Sequence, residues 1–129
     1  MLGKADAYSG FGVTDLDTAK EFYGEKLGVK VNVLDEENGL FELQHPNHNT
    51  LAYLKPDLKP SNNTILNFQV DDIDAAVDAL IERGVAFELY DGFGQDERGV
   101  SRNEGGPPIA WFRDPAGNIL SVLEDSGPS

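Results

Sequence analysis

The sequence predicts an α+β fold in which two βαβββ modules form a curved mixed-sheet cavity. Three observations carry that prediction. The chain has 129 residues, enough for one ordinary domain. Its apolar residues switch between strand and helix periods. The pattern of the first half then starts again in the second.

The first element is a short alternating strand over residues 7–14. A helix follows, because Leu16, Ala19, Tyr23 and Leu27 recur at three- and four-residue steps. Asp15 or Asp17 supplies its N-cap, and Gly28 fits the left-handed position beyond its end. Three strands are expected next, over 29–34, 40–44 and 50–54, separated by Gly39 and the polar turn from His45 to Asn49. The second module repeats the order. A strand over 65–70 leads to a helix opened by Asp72, with Ile73, Ala76, Val77, Leu80 and Ile81 on one face and Gly84 closing it. Strands over 85–90, 109–113 and 118–123 complete it. Module one spans about 5–56, a linker rich in Pro, Lys and Asn covers 56–63, module two spans about 64–124, and a Ser/Gly/Pro tail ends the chain over 125–129. Residues 126–129 of that tail are expected to be disordered.

The repeat is visible residue by residue. Phe11-x-Val13-x-Asp15-Leu16-Asp17-x-Ala19 matches Phe68-x-Val70-x-Asp72-Ile73-Asp74-x-Ala76, and Gly28-Val29 matches Gly84-Val85. Asn49-x-Leu51 is aligned with Asn118-x-Leu120. Strand alternation then divides the side chains between a helix side and a concave side. The turn Asp114-Pro115-Ala116-Gly117 sets a register in which Trp111 faces Ser121. Ala110, Phe112, Leu120 and Val122 fall under the helix, with Trp111, Arg113 and Ser121 on the concave face. In module one Phe41, Leu43, Leu51 and Tyr53 are assigned inward, and Glu42 is placed opposite Ala52 on the concave face. Tyr8, Asn67 and Gln69 join that face from the first strands. A sheet face mixing aromatic, small and amide side chains has the character of a ligand cavity.

Composition narrows the function. Asp and Glu number 23 against 10 Lys and Arg, a formal charge of −13. Such a chain has no basic stripe to displace counterions from nucleic acid and is repelled by anionic membrane surfaces. With no cysteine, disulfides, thiolate metal sites and cysteine nucleophiles are excluded. No apolar run reaches the length of a membrane span, and no secretory leader is recognised, so a cytoplasmic location is expected.

The repeat, with Val13-x-Asp15-Leu16-Asp17-x-Ala19-x-x-Phe22-Tyr23-x-x-x-Leu27-Gly28 and Trp111-Phe112-x-Asp114-Pro115-x-Gly117-Asn118, resembles the vicinal oxygen chelate superfamily. That group includes glyoxalase I, extradiol dioxygenases, fosfomycin-resistance transferases and bleomycin-binding resistance proteins. The likeness covers about Ala5 to Glu124. It implies where a metal would sit: one ligand five residues before the Val of each Val-x-Asp motif, another four residues after the Gly of the Asp-Pro-x-Gly turn. Those positions are Tyr8 and Ile65, and Ser121 with Ala52 as its counterpart. They offer no imidazole and no carboxylate, so the chain resembles a branch lacking the metal ligands, and no cofactor is expected. His45 and His48 straddle Pro46 in a turn and read as a solvated segment.

Within the cavity, Glu42 is the one catalytic candidate: a general base with a raised pKa, or else a carboxylate that points into solvent at the cavity mouth or pairs with a neighbour such as Lys30 or Arg113. Trp111 and Tyr8 either stack on a planar or cationic ligand or fill the space a metal occupies in relatives. The Gly-rich segment 91–108 has no counterpart in module one. It reads as a lid or a surface excursion, with Phe93, Arg98 and Arg102 as its working side chains. Three functions follow. The first is a metal-independent binder of a cationic or aromatic small molecule, similar to the bleomycin-resistance branch. The second is a lyase or isomerase-like enzyme using Glu42 or Tyr8, and the third is a non-catalytic family member. A homodimer is expected, since short members of the superfamily commonly pair and sheet edges call for cover.

Overall fold

In the computed structural model, which describes residues 1–102 and 106–124, the chain divides into two compact units, Met1–Leu58 and Lys59–Ser129. The tail over 125–129 and residues 103–105 of the loop lie outside the described residues.

In the first unit a four-stranded sheet runs in the order β1 (Gly10–Val13), β4 (Asn49–Leu54), β3 (Leu40–Gln44), β2 (Lys30–Asp35). β1 and β4 are parallel and the other pairs antiparallel. Helix α1 (Leu16–Lys20) is capped by Asp15, whose carboxylate accepts from the Thr18 amide at 2.9 Å. It does not continue as the regular helix the periodicity predicts. Residues Glu21–Lys26 form a π-helical turn, with the Leu27 amide reaching back to the Phe22 carbonyl at 3.0 Å. The wider turn lets the adjacent rings of Phe22 and Tyr23 both be buried, edge to face at 5.2 Å, and Tyr23 meets Phe11 at 5.6 Å.

Gly39 ends the β2–β3 turn at φ +70, and a Cβ there would lie 2.5 Å from the Leu54 Cβ. Only glycine fits that close approach.

The β3–β4 register corrects one expectation. Ala52 lies opposite Phe41, and Thr50 opposite Leu43, while Glu42 faces Leu51 rather than Ala52. Thr50 and Ala52 are buried with Phe41 and Leu43, and Tyr53 is 40% exposed. A slip of one residue moves every side chain of a strand to the other face. Phe11 pairs with Ala52 and its repeat mate Phe68 with Val122, so Leu51, not Ala52, is the counterpart of Ser121.

In the second unit β5 (Thr64–Val70), β7 (Ile119–Glu124) and β6 (Ile109–Arg113) form a sheet in that order, β5 parallel and β6 antiparallel to β7. Trp111 faces Ser121 as the turn chemistry predicts. Helix α2 (Ile73–Glu82) is capped by Asp72, which accepts from the Ala75 amide at 3.2 Å. Ile73, Val77 and Leu80 are buried with Ala110, Phe112, Leu120 and Val122; Ile81, assigned to the same face, is 42% exposed. Each fully buried large apolar side chain contributes about 1.5–3 kcal/mol.

The strand expected over 85–90 is reduced to one bridging pair, Phe87 with Phe112. A side chain takes the place of the ladder: Gln95 Oε1 accepts from the Tyr90 amide at 2.6 Å, and Gln95 Nε2 donates to the carbonyls of Glu88 and Gly99, each at 2.8 Å.

Candidate functional site

Each unit carries a recess of its own. In the first, a cavity of about 590 Å³ is lined by Tyr8, Leu34, Glu42, His48 and Leu51 among others. Glu42 reaches it from the middle of β3, where alternation turns it away from the core shared by Phe41 and Leu43. Its Oε1 accepts from Asn32 Nδ2 and Gln44 Nε2, both at 3.0 Å, and its Oε2 accepts from Asn49 Nδ2 at 3.3 Å. The three donors come from the facing position on β2, the next same-face position on β3, and the start of β4. Amide donors favour the ionised form, with Asn32 foremost and then Gln44, and hold the Glu42 carboxyl below the usual glutamate range. The raised pKa expected of a general base is thus reversed, and neither Lys30 nor Arg113 is its partner: Arg113 pairs with Glu88. Tyr8, 71% exposed, stands at the same recess.

In the turn from His45 to Asn49 residues 46–49 are exposed, as expected of a solvated segment, and His45 alone is half-buried. His45 Nε2 lies 2.8 Å from Thr50 Oγ1, and its ring is 5.2 Å from that of His48. Burial, reinforced by His48, lowers the His45 pKa. Among the described residues no group of three or more His, Cys, Asp or Glu side chains is placed to hold a metal.

In the second unit a cavity of about 410 Å³ is lined by Asn63, Tyr90, Phe93, Trp111, Arg113 and Ile119 among others. Three rings meet here. Trp111 lies 5.4 Å from Phe93 and 5.7 Å from Tyr90, which lies 5.7 Å from Phe93. Arg113 is held beside them, donating from Nε to Glu88 at 2.6 Å and from Nη1 to the Gly117 carbonyl at 3.0 Å. Ser121 is buried and donates to Asn67 Oδ1 at 2.5 Å. Gln69 and Asn67 are exposed on β5 and line neither recess. Tyr90 joins the recess although it ends a run that reads as strand, and its three-residue spacing to Phe93 is the sequence signal for that place.

The segment 91–102 splits the expected lid. Phe93 belongs to the recess, and its carbonyl accepts from Ser101 Oγ at 2.5 Å. Arg98 and Arg102 do not join it. Arg98 binds Asp74 through Nη2 and Asp78 through Nη1, the latter at 2.7 Å, and Arg102 Nη2 binds Asp74 at 2.6 Å. Asp74 and Asp78, four residues apart on the exposed face of α2, draw both guanidinium groups onto the helix. Hydrogen bonding from Arg98, above all, lowers the Asp74 pKa.

The positions that would carry metal ligands hold Tyr8, Leu51, Ile65 and Ser121. A phenol, two aliphatic chains and a hydroxyl already committed to Asn67 do not make the three or four N, O or S donors a divalent transition metal requires. This donor set does not fit the metal of the family's metal-dependent members.

Residues 7–122 match the family model of the Glyoxalase/Bleomycin resistance protein/Dioxygenase superfamily. The chain belongs to that superfamily. It is 28% identical over 125 residues to the uncharacterized protein YraH of Bacillus subtilis, covering 87% of this chain and 91% of that one. Among solved structures it is similar to TnmS3, an antibiotic binding protein from Streptomyces sp. CB03234, at 27% identity and a TM-score of 0.68, covering 95% and 98% of the two chains. Lactoylglutathione lyase from Agrobacterium tumefaciens shares the fold at 21% identity, with a TM-score of 0.70 over 98% of each chain. Among the described residues no helix is long and apolar enough to cross a membrane.

Proposed function

We propose that this protein binds a small organic molecule without a metal, as a member of the binding branch of its superfamily. The observation that carries the reading is the recess around Trp111, where three rings surround a concave surface large enough for a planar group. The likeness to an antibiotic-binding protein supports it, as does the lack of ligating side chains at the four inherited positions. Catalysis through Glu42 is disfavoured, because amide hydrogen bonds that lower a carboxyl's pKa make it a weaker base. The proposal includes a homodimer, since β1 and β5 have a neighbour on one side only within their sheets.

The test has two arms. Metal analysis of protein purified without chelator should give far less than one equivalent of Zn, Ni, Mn or Fe per chain; near one equivalent overturns metal independence. Trp111 is the sole tryptophan, so its fluorescence reports this recess directly. A panel of planar aromatic compounds should include ligands that quench it saturably and raise the melting temperature. A Trp111→Leu variant that keeps the same thermal stabilisation by those ligands would refute the assignment.

A further inference from the structure

We infer that the recess of the first unit receives a protonated amine, with Glu42 as its counter-ion. The inference rests on the small-molecule reading above and adds to it the charge of the ligand and the atom that meets it.

An ionised carboxylate can accept about four hydrogen bonds. In Glu42 two amide donors fill Oε1, while Oε2 has a single long bond, from Asn49 at 3.3 Å, and keeps a lone pair. Primary amides orient a carboxylate without neutralising it. Some acids of the chain find cations, Asp74 and Asp78 sharing Arg98 and Glu88 taking Arg113. Glu42 forms no ion pair with any described residue, and no lysine or arginine lines its recess. The lining adds a second carboxylate, Asp6, and the exposed ring of Tyr8. Both repel an anion and favour a cation, the ring through its π face. Leu34 and Leu51 offer aliphatic surface for the rest of the ligand.

The same donors decide what kind of cation enters. A metal dication needs several oxygen ligands converging at short distance. Here the carboxylate's lone pairs are largely taken by Asn32, Gln44 and Asn49, whose NH2 groups turn donors toward it. One directed acceptor beside apolar surface suits an ammonium N–H on a hydrocarbon body. The cavity, at about 590 Å³, falls in the range used by small organic ligands.

The full chain is titrated with benzylamine and with its uncharged analogue benzyl alcohol, following the side-chain NH2 resonances of Asn32, Gln44 and Asn49 by NMR. Benzylamine should shift them saturably and benzyl alcohol should not. Glu42→Gln, which keeps the shape and removes the charge, should weaken benzylamine at least tenfold. An equal response to benzyl alcohol, or unchanged benzylamine affinity in Glu42→Gln, overturns the inference. If Glu42→Gln does not fold, the two probes on the unaltered chain decide, with Tyr8→Ala as the second variant: severalfold weaker benzylamine binding supports the site, and unchanged binding overturns it. Trp111 quenching by planar aromatic compounds separates the outcomes. If quenching persists while benzylamine fails, this inference falls alone; if both fail, the small-molecule reading falls with it.

Discussion

Gln95 replaces a strand with a side chain, and removing it tests how much the Trp111 recess depends on that replacement. Gln95→Ala deletes three hydrogen bonds, to the Tyr90 amide and to the Glu88 and Gly99 carbonyls. Each such bond contributes about 1 kcal/mol net. Gln95 is only half-buried, so water recovers part of the loss, and a destabilisation of about 2 kcal/mol is expected. With a urea slope of about 2 kcal/mol/M the unfolding midpoint should fall by about 1 M. Gln95→Glu should be worse at neutral pH, because it turns a carboxylate oxygen toward two carbonyls that now receive donors at 2.8 Å. It should recover as acid protonates the new carboxyl. Urea unfolding followed by Trp111 fluorescence gives the energies, and hydrogen exchange at the Tyr90 amide shows whether the loss is local. Unchanged Tyr90 protection with a midpoint shift under about 0.2 M in Gln95→Ala, or Gln95→Glu more stable than Gln95→Ala at neutral pH, would refute the reasoning.

Three further outcomes are expected. Gly39→Ala should cost more than Gly92→Ala in chemical denaturation: both glycines have positive φ, a backbone penalty of about 1–2 kcal/mol for alanine, but only at Gly39 would the new Cβ strike Leu54, while Gly92 has nothing within 4 Å. Arg98→Ala should speed proteolysis of the 91–102 segment in low salt, and added salt should shrink the difference between variant and wild type, because Asp74, Asp78 and Asp96 hold that guanidinium at a solvated surface. Acid should destabilise the chain in two stages. His45, with its folded pKa lowered by burial, favours the neutral form, so its contribution declines as pH falls through the ordinary histidine range. Asp15, Asp35, Glu42 and Asp74, also lowered, stabilise fully above the ordinary carboxylate range and lose that contribution as pH falls through their depressed values. Unfolding midpoints measured across pH should show both stages, and Glu42→Gln should flatten the second.

The fold was legible because its signals are local and doubled. Asp15 and Asp72 cap equivalent helices, and the Asp114–Gly117 turn pins Trp111 to Ser121. The register of β4 was hidden by hydrophobicity. Leu51 and Tyr53 are the larger apolar residues, yet Thr50 and Ala52 are the buried ones. With Phe11, Phe22 and Tyr23 filling the helix side, small residues complete that volume. The site divides in the same way. Alternation alone places Glu42 on the open face, but the lowering of its pKa comes first from Asn32 and then from Gln44, and Asn32 reaches it through a strand register that no local motif encodes. The helix partners of Arg98 and Arg102, Asp74 and Asp78, lie 20 to 28 residues away along the chain, beyond the reach of a local pattern.

The π-turn in the first unit bears on the history of the repeat. Thirteen positions separate the cap Asp15 from Gly28, and twelve separate Asp72 from Gly84. The extra residue is absorbed where the helix widens over Glu21–Lys26. The same insertion inside β3 ahead of Glu42 would invert every side chain of the strand beyond it and turn Glu42 into the core. The helix thus serves as a length buffer: one half of the duplicated chain can gain a residue while the strands around its recess stay in phase.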